Sequence, residues 1–312
     1  MREVLDRKLS RLADLDLMAP NYPVGGKLLR PRLLLTFALK PDEEGPSLDR
    51  LAALAAAVEL IHLASLHHDD VIDASPHRRQ AASAREQFGN KVSILFGDAI
   101  LTAALDLLLG VSSRRMQRAV ARAVRETLRG EIAQHTGHRN PSVSERECVR
   151  VAALKTGSLF GLAAQLGALA AGEPEPVVRL AFRMGRRLGT AYQLMDDAMD
   201  YLGTSEILGK EPGSDYRQGI ATLPLVSAWL FGSPADRILI DQSFGANGSS
   251  DFSGVQLIIS RRSNIGRTRA AAFYQLGWAR SAIGELGLQD RAGQVEAFCR
   301  EIEDRIWLAV QH

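Results

Sequence analysis

Apolar side chains recur along this chain at the three- and four-residue spacing of a helix and almost nowhere at the alternation of a strand. Leu51, Leu54, Ala55, Val58, Ile61 and His62 follow an i, i+3, i+4, i+7 rhythm. Val92, Leu95, Phe96, Ala99 and Ala103 do the same, as do Val177, Leu180, Ala181, Met184, Leu188 and Ala191. With no sustained period-two stretch, the pattern predicts an all-α fold. Helix breakers punctuate it: a turn over Pro20–Gly26, a loop over Pro41–Pro46, and Ser75-Pro76 closing the helix that carries Asp69. Asn140-Pro141-Ser142 precedes a helix, with Ser142 or Ser144 as its N-cap. Gly203, Gly209, Gly213 and Gly219 mark an irregular stretch, and Phe244–Gly254 reads as a long surface loop.

The most apolar stretches, Leu51–Leu66 and Gly157–Gly172, are interrupted by Glu59, His62 and Gln165 and are too short for membrane spans. They read as buried core helices. Hydrophobic residues make up 46% of the 312 and charged residues 24%, the balance of a globular protein. No repeat of solenoid period occurs, and the expectation is a single domain over residues 1–312. The formal charge of +2 leaves no cationic excess for nucleic acid. Two cysteines, Cys148 and Cys299, make no disulfide framework. With a mixed-charge N-terminus that lacks an apolar signal core, they point to a cytoplasmic protein.

One short pattern occurs twice. Asp69-Asp70-Val71-Ile72-Asp73 and Asp196-Asp197-Ala198-Met199-Asp200 are both Asp-Asp-x-x-Asp, each at the end of an apolar helical run. Residues four apart share a helix face, so Asp69 and Asp73 point together, as do Asp196 and Asp200. Like charges at that spacing destabilise a bare helix. A divalent cation offsets the repulsion. All-carboxylate donors suit Mg²⁺, which keeps several waters and completes its shell with substrate phosphates. The lack of Cys or His at ligand spacing argues against zinc.

Cations fit for phosphate accompany the aspartates. Gly25-Gly26-Lys27-Leu28-Leu29-Arg30-Pro31-Arg32 is a glycine turn leading into basic residues, with Lys27 and Arg30 expected on one helical face. Arg78-Arg79 follows the first motif, Lys155-Thr156 opens an apolar segment, and Lys210 follows the second motif by ten residues. Three of only six lysines in the chain occupy these places.

These residues, in this order, resemble the trans-isoprenyl diphosphate synthases (polyprenyl synthetases). The resemblance runs from about Gly25 to Pro224. It takes in Gly-Gly-Lys-x-x-Arg-Pro, Glu59-x-Ile61-His62, Ser65 to Asp73, Arg78-Arg79 and Phe88-Gly89-Asn90-Lys91. It continues through Gly97-Asp98, Gly130-Glu131, Lys155-Thr156-Gly157, Gln193-x-x-Asp196-Asp197-x-x-Asp200, Gly209-Lys210-x-x-Gly213-x-Asp215 and Thr222-Leu223-Pro224. It implies an all-helical isoprenoid-synthase bundle around a deep central cavity, usually a homodimer. Asp69, Asp70, Asp73, Asp196, Asp197 and Asp200 would hold Mg²⁺, typically three ions, on the diphosphate of an allylic substrate. Lys27, Arg30, His62 and Arg79 would grip isopentenyl diphosphate. Arg78, Lys155, Thr156 and Lys210 would hold the allylic diphosphate, and Gln193 would support the second metal cluster. The implied activity is a Mg-dependent condensation of the two substrates into a longer trans-polyprenyl diphosphate, with the released diphosphate taking up the lost proton.

The chain departs from the family pattern in two places. Gln80-Ala81-Ala82 follows Arg79 where Gly-x-Pro is common, and Ile220 stands where the family places a lysine before Thr-Leu-Pro. The second change predicts a weaker diphosphate grip or a different substrate. Small residues at Ala64 and Ser65, one turn before Asp69, imply a product of twenty carbons or longer, since an aromatic at that level stops growth early in the family. A terpene cyclase of the same fold and an inactive subunit of a heteromeric synthase are the alternatives. The second Asp-rich motif with Lys27, Arg30 and His62 argues against the former, and the retention of both motifs against the latter. His67 and His68 read as polar packing residues, and His135 with His138 as a pair lacking a third metal ligand.

Overall fold

The computed structural model describes residues 27–39, 45–75, 77–78, 81–137, 139–204, 212–245, 252–285 and 289–310. In chain order the helices are α1 (Leu29–Ala38), α2 (Leu48–Ile72), α3 (Ala84–Phe88), α4 (Asn90–Val111), α5 (Arg114–Thr136) and α6 (Glu145–Ala152). A five-residue π-turn, Ala153–Gly157, leads into α7 (Ser158–Ala170) and α8 (Glu175–Leu202). Then come α9 (Ser214–Arg217), α10 (Leu223–Phe231), α11 (Pro234–Ser243), α12 (Phe252–Ser260), α13 (Arg262–Glu285) and α14 (Ala292–Val310). The strand content among the described residues is one two-residue antiparallel ladder, β1 (His77–Arg78) with β2 (Ala81–Ala82). The fold is all-α, as the hydrophobic rhythm requires.

The chain divides into two compact units, one formed by residues up to Val124 with Leu159–Gly185, the other by Arg125–Ser158 with Arg186 onward. In the first, Leu34 of α1, Leu54, Val58 and Ile61 of α2, Ile100 and Leu108 of α4, Val120 of α5 and Leu162 and Leu166 of α7 make one core. Ser47 caps α2 by accepting from the Arg50 N–H at 3.3 Å. Every residue of α2 from Leu51 to Ile61 is buried, which explains why its polar positions are so few. Gly167 lets α7 lie backbone to backbone with α1, for a Cβ there would meet the Leu34 carbonyl oxygen at 2.1 Å.

The second unit has its own core of Tyr201, Tyr216, Leu225, Ile240, Phe244, Val255 and Ile259. Ser144, not Ser142, caps α6, accepting from Glu147 N–H at 3.2 Å. Ser233 and Asp236 form a capping box on α11. Arg280 of α13 binds both Glu296 and Glu303 of α14, each at 2.7 Å. Phe252, Ser253 and Gly254, expected in the loop after Phe244, already belong to α12 because Phe252 packs on Tyr201.

Among the described residues two helices, α2 and α4, are long and apolar enough to cross a membrane. α2 is core. α4 is different: only 22% of its apolar window is buried, and Leu95, Leu105 and Leu109 lie exposed. The apolar stripe that begins at Val92 and Leu95 therefore turns partly outward.

Candidate active site

The first aspartate motif ends α2. Asp70 is fully buried, Asp69 and Asp73 are half-buried, and Asp73 is the C-cap residue, its N–H donating to the Asp69 carbonyl at 2.8 Å. Ser75 N–H donates to the Asp70 carbonyl at 3.0 Å, fastening the turn that follows. α4 braces this end from outside the motif. Ser93 Oγ donates to the His67 carbonyl at 3.1 Å, and His68 Nε2 lies 3.2 Å from Asp98 Oδ1. Gly97 leaves the space that the His68 ring fills, since a Cβ there would fall 2.4 Å from Nε2. The His67 side chain is buried and that of His68 half-buried.

The basic residues after the glycine turn differ from their expected arrangement. Leu28 precedes α1 in the left-handed conformation, φ 46°, so the helix starts at Leu29 and Lys27 lies outside it. Lys27 and Arg30 consequently do not share a helical face. Lys27 is exposed, while the half-buried Arg30 guanidinium stacks 4.9 Å from the Phe160 ring centroid. His62 is half-buried on α2. Arg78 falls in β1; Arg79, Lys210, His138, Gly25, Gly26 and Gly209 lie outside the described residues.

The second motif ends α8, with Asp196 exposed and Asp197 and Asp200 buried. Gln193, one turn earlier, donates through Nε2 to Asp197 Oδ1 at 2.7 Å. Its Oε1 accepts from Thr156 Oγ1 on the π-turn. Asp200 Oδ2 accepts the Asp215 N–H at 3.0 Å, and the Asp200 carbonyl accepts the Gly213 N–H at 2.6 Å. Gly213 has φ 80°, and a Cβ there would strike the Phe252 ring at 2.2 Å, so only glycine makes this turn.

The π-turn adds one residue to the helical repeat and carries Lys155 and Thr156. Glycines press it between two helices. A Cβ on Gly130 of α5 would lie 2.5 Å from Lys155 N, and one on Gly157 would lie 2.8 Å from the Arg186 carbonyl oxygen. Lys155 Nζ donates to Glu131 Oε1 at 2.8 Å, and His135 Nε2 lies 3.6 Å from the same oxygen. Glu131 is the functional candidate that spacing did not single out, because 24 residues separate it from its partner. Burial pushes the Asp197 carboxyl up to about 7; Gln193 and the Lys155 charge pull it down, and the charges of Asp196 and Asp200 push it further up.

A cavity of about 290 Å³ opens here, its wall including Lys155, Gln193, Asp197, Cys148, Ile220 and Thr222. Ile220, standing where the resemblance places a lysine, is a buried apolar part of that wall. Burial pushes the Cys148 thiol up to about 12, which favours the protonated form. Among the described residues no three His, Cys, Asp or Glu side chains are gathered closely enough to hold a metal by themselves. The donor set nevertheless fits a hard cation. It is all oxygen, the donor type that Mg²⁺ takes, and its negative charges repel one another at Asp197.

A sequence profile of the polyprenyl synthetase family matches residues 15–259. The octaprenyl diphosphate synthase of Haemophilus influenzae is 37% identical over 73% of this chain and 68% of its own length. A decaprenyl diphosphate synthase from Rhodobacter capsulatus superposes with a TM-score of 0.84 at 29% identity, covering 97% of this chain and 98% of that one. A polyprenyl synthase from Caulobacter crescentus, solved with calcium and isoprenyl diphosphate, superposes with a TM-score of 0.83 at 29% identity, covering 99% and 97%.

Proposed function

The chain belongs to the polyprenyl synthetase family, and from that membership we propose that it is a trans-prenyltransferase condensing isopentenyl diphosphate with an allylic prenyl diphosphate. Its product is a trans-polyprenyl diphosphate of twenty carbons or more. The observation that carries the reading is the row Thr156–Gln193–Asp197 beside Lys155. It sets a carboxylate and an ammonium together on one cavity wall, as a metal-bound diphosphate requires. The family match runs through both compact units and supports treating the chain as one synthase domain.

Mg²⁺ is the cation the donors suit: Asp69, Asp70 and Asp73 would hold it at the end of α2, Asp196, Asp197 and Asp200 at the end of α8, and it would draw off charge that develops on the leaving diphosphate. The protein's own groups do the rest. Lys155 and Thr156, with Arg78 and Lys210, hold the allylic diphosphate and stabilise the oxygen that departs from C1. Lys27, Arg30, His62 and Arg79 hold isopentenyl diphosphate so that its double bond faces the allylic carbon. Cleavage of the C1–O bond gives an allylic cation and diphosphate. The isopentenyl double bond attacks C1, and the released diphosphate accepts the proton lost from the new chain. Ile220 and its apolar neighbours help to keep water from the cation.

The two buried, free thiols support a reducing, cytoplasmic setting. The exposed apolar face of α4 supports a homodimer in which a second copy covers it. Incubation with Mg²⁺, labelled isopentenyl diphosphate and geranyl, farnesyl or geranylgeranyl diphosphate, followed by sizing of the extract, tests the reading. Labelled chains of twenty carbons or more are expected; label left wholly in isopentenyl diphosphate contradicts it.

A further inference from the structure

Lys155 is braced by a carboxylate on α5. Glu131 Oε1 receives its Nζ at 2.8 Å, and the two side chains are only 22% and 13% exposed. The contact depends on Gly130, the one residue type that lets α5 approach the π-turn backbone closely enough for the neighbouring carboxylate to reach. The Lys155 charge is also felt at Asp197. The ammonium is therefore hydrogen-bonded to a carboxylate on α5 and shares a cavity wall with one on α8, in the same compact unit. Lysine is a point charge on a flexible four-carbon stem, and without a partner it samples many directions. Fixed at Glu131, it has one.

We propose that Glu131 is a positioning residue: it fixes the Lys155 ammonium at the wall shared by Gln193 and Asp197, where it meets the diphosphate of the allylic substrate. The identity of that anion rests on the prenyltransferase reading; the positioning itself rests on the contacts above. Glu131 is not one of the residues lining the cavity. A carboxylate facing a diphosphate directly would repel it, and here Lys155 receives its charge instead.

A double-mutant cycle tests this with four full-length proteins: wild type, E131Q, K155A and E131Q/K155A. Two readouts are taken in Mg²⁺: KM for farnesyl diphosphate and for isopentenyl diphosphate, and the Kd of inorganic diphosphate by calorimetry. E131Q is expected to raise the farnesyl diphosphate KM and the diphosphate Kd about tenfold, and to change the isopentenyl diphosphate KM less than about twofold. In the K155A background, the same substitution is expected to change each value less than about twofold. Equal losses with and without Lys155, equal rises in both KM values, or no loss at all would overturn the proposal. Should E131Q fail to fold, E131D keeps the charge but shortens the reach, and the same cycle applies. If wild type elongates nothing, the transferase reading fails, while the calorimetric cycle still decides whether Glu131 acts through Lys155.

Discussion

Gln193 Nε2 and Asp197 Oδ1 meet at 2.7 Å across one turn of α8, and the same glutamine takes the Thr156 hydroxyl on its other side. The amide orients a buried carboxylate while linking it to the π-turn that carries Lys155. Helical geometry alone places Gln193 and Asp197 on one face. The π-turn supplies the cationic half, and the buried setting makes each hydrogen bond count.

Helix approach in the first unit depends on Gly167. G167A should drive α7 off α1 and lower stability by about 1–3 kcal/mol, because the new methyl meets backbone and not a movable side chain. Gly277, inside α13 with nothing within 4 Å of an added Cβ, is the control, and G277A should raise stability by about 0.5–1 kcal/mol. Chemical denaturation of both variants measures the difference.

The resemblance predicts that residues one turn before the first motif limit product length, and the structure separates the two candidates. Ala64 is buried in the α2 core, so A64F should overpack it and cost about 1–3 kcal/mol. Ser65 is half-buried, its Oγ donating to the His62 carbonyl at 2.8 Å. S65F should fold and shorten the product. Chromatography of the elongation products reads this directly, and an unchanged length distribution would remove Ser65 from the chain-length wall.

Leu95 and Leu109 of α4 are 64% and 70% exposed on a helix whose mean composition is strongly apolar. L95E/L109E should convert a dimer to a monomer while sparing the helical circular dichroism. Light scattering coupled to size exclusion gives the mass, and a wild-type monomer would refute the assignment of this face to a second copy.

The α13–α14 clamp carries a pH signature. Hydrogen bonds from Arg280, with further help from Arg300, hold the Glu296 carboxyl at about 2, below its ordinary 4.5. A depressed carboxylate contributes stability that is fully present above 4.5 and is lost as pH falls through about 2. Thermal melts between pH 5 and 2 should fall for wild type, and E296Q should flatten part of that fall. Parallel curves for the two proteins would exclude Glu296 as a contributor.

Much of this was legible in the residues themselves. The two Asp-Asp-x-x-Asp motifs, the cap at Ser144 and the helical rhythm of α2 and α8 are local patterns, and local geometry carries them into the fold. What was not legible depends on distant partners or on backbone detail. Glu131 finds Lys155 only because Gly130 and Gly157 admit the π-turn between two helices. Lys27 leaves the helical face because Leu28 turns left-handed, which no side-chain pattern announces. The outward stripe of α4 has the same spacing as a core stripe, since periodicity records that a face is apolar and not what covers it.

The central claim is transfer of a prenyl group to isopentenyl diphosphate, and the stoichiometry of diphosphate release measures it most directly. With Mg²⁺ and farnesyl diphosphate, the purified protein should release one diphosphate for each isopentenyl unit incorporated, and none when isopentenyl diphosphate is omitted or Mg²⁺ is chelated. Release from farnesyl diphosphate alone, or incorporation that does not track release one for one, would contradict the account.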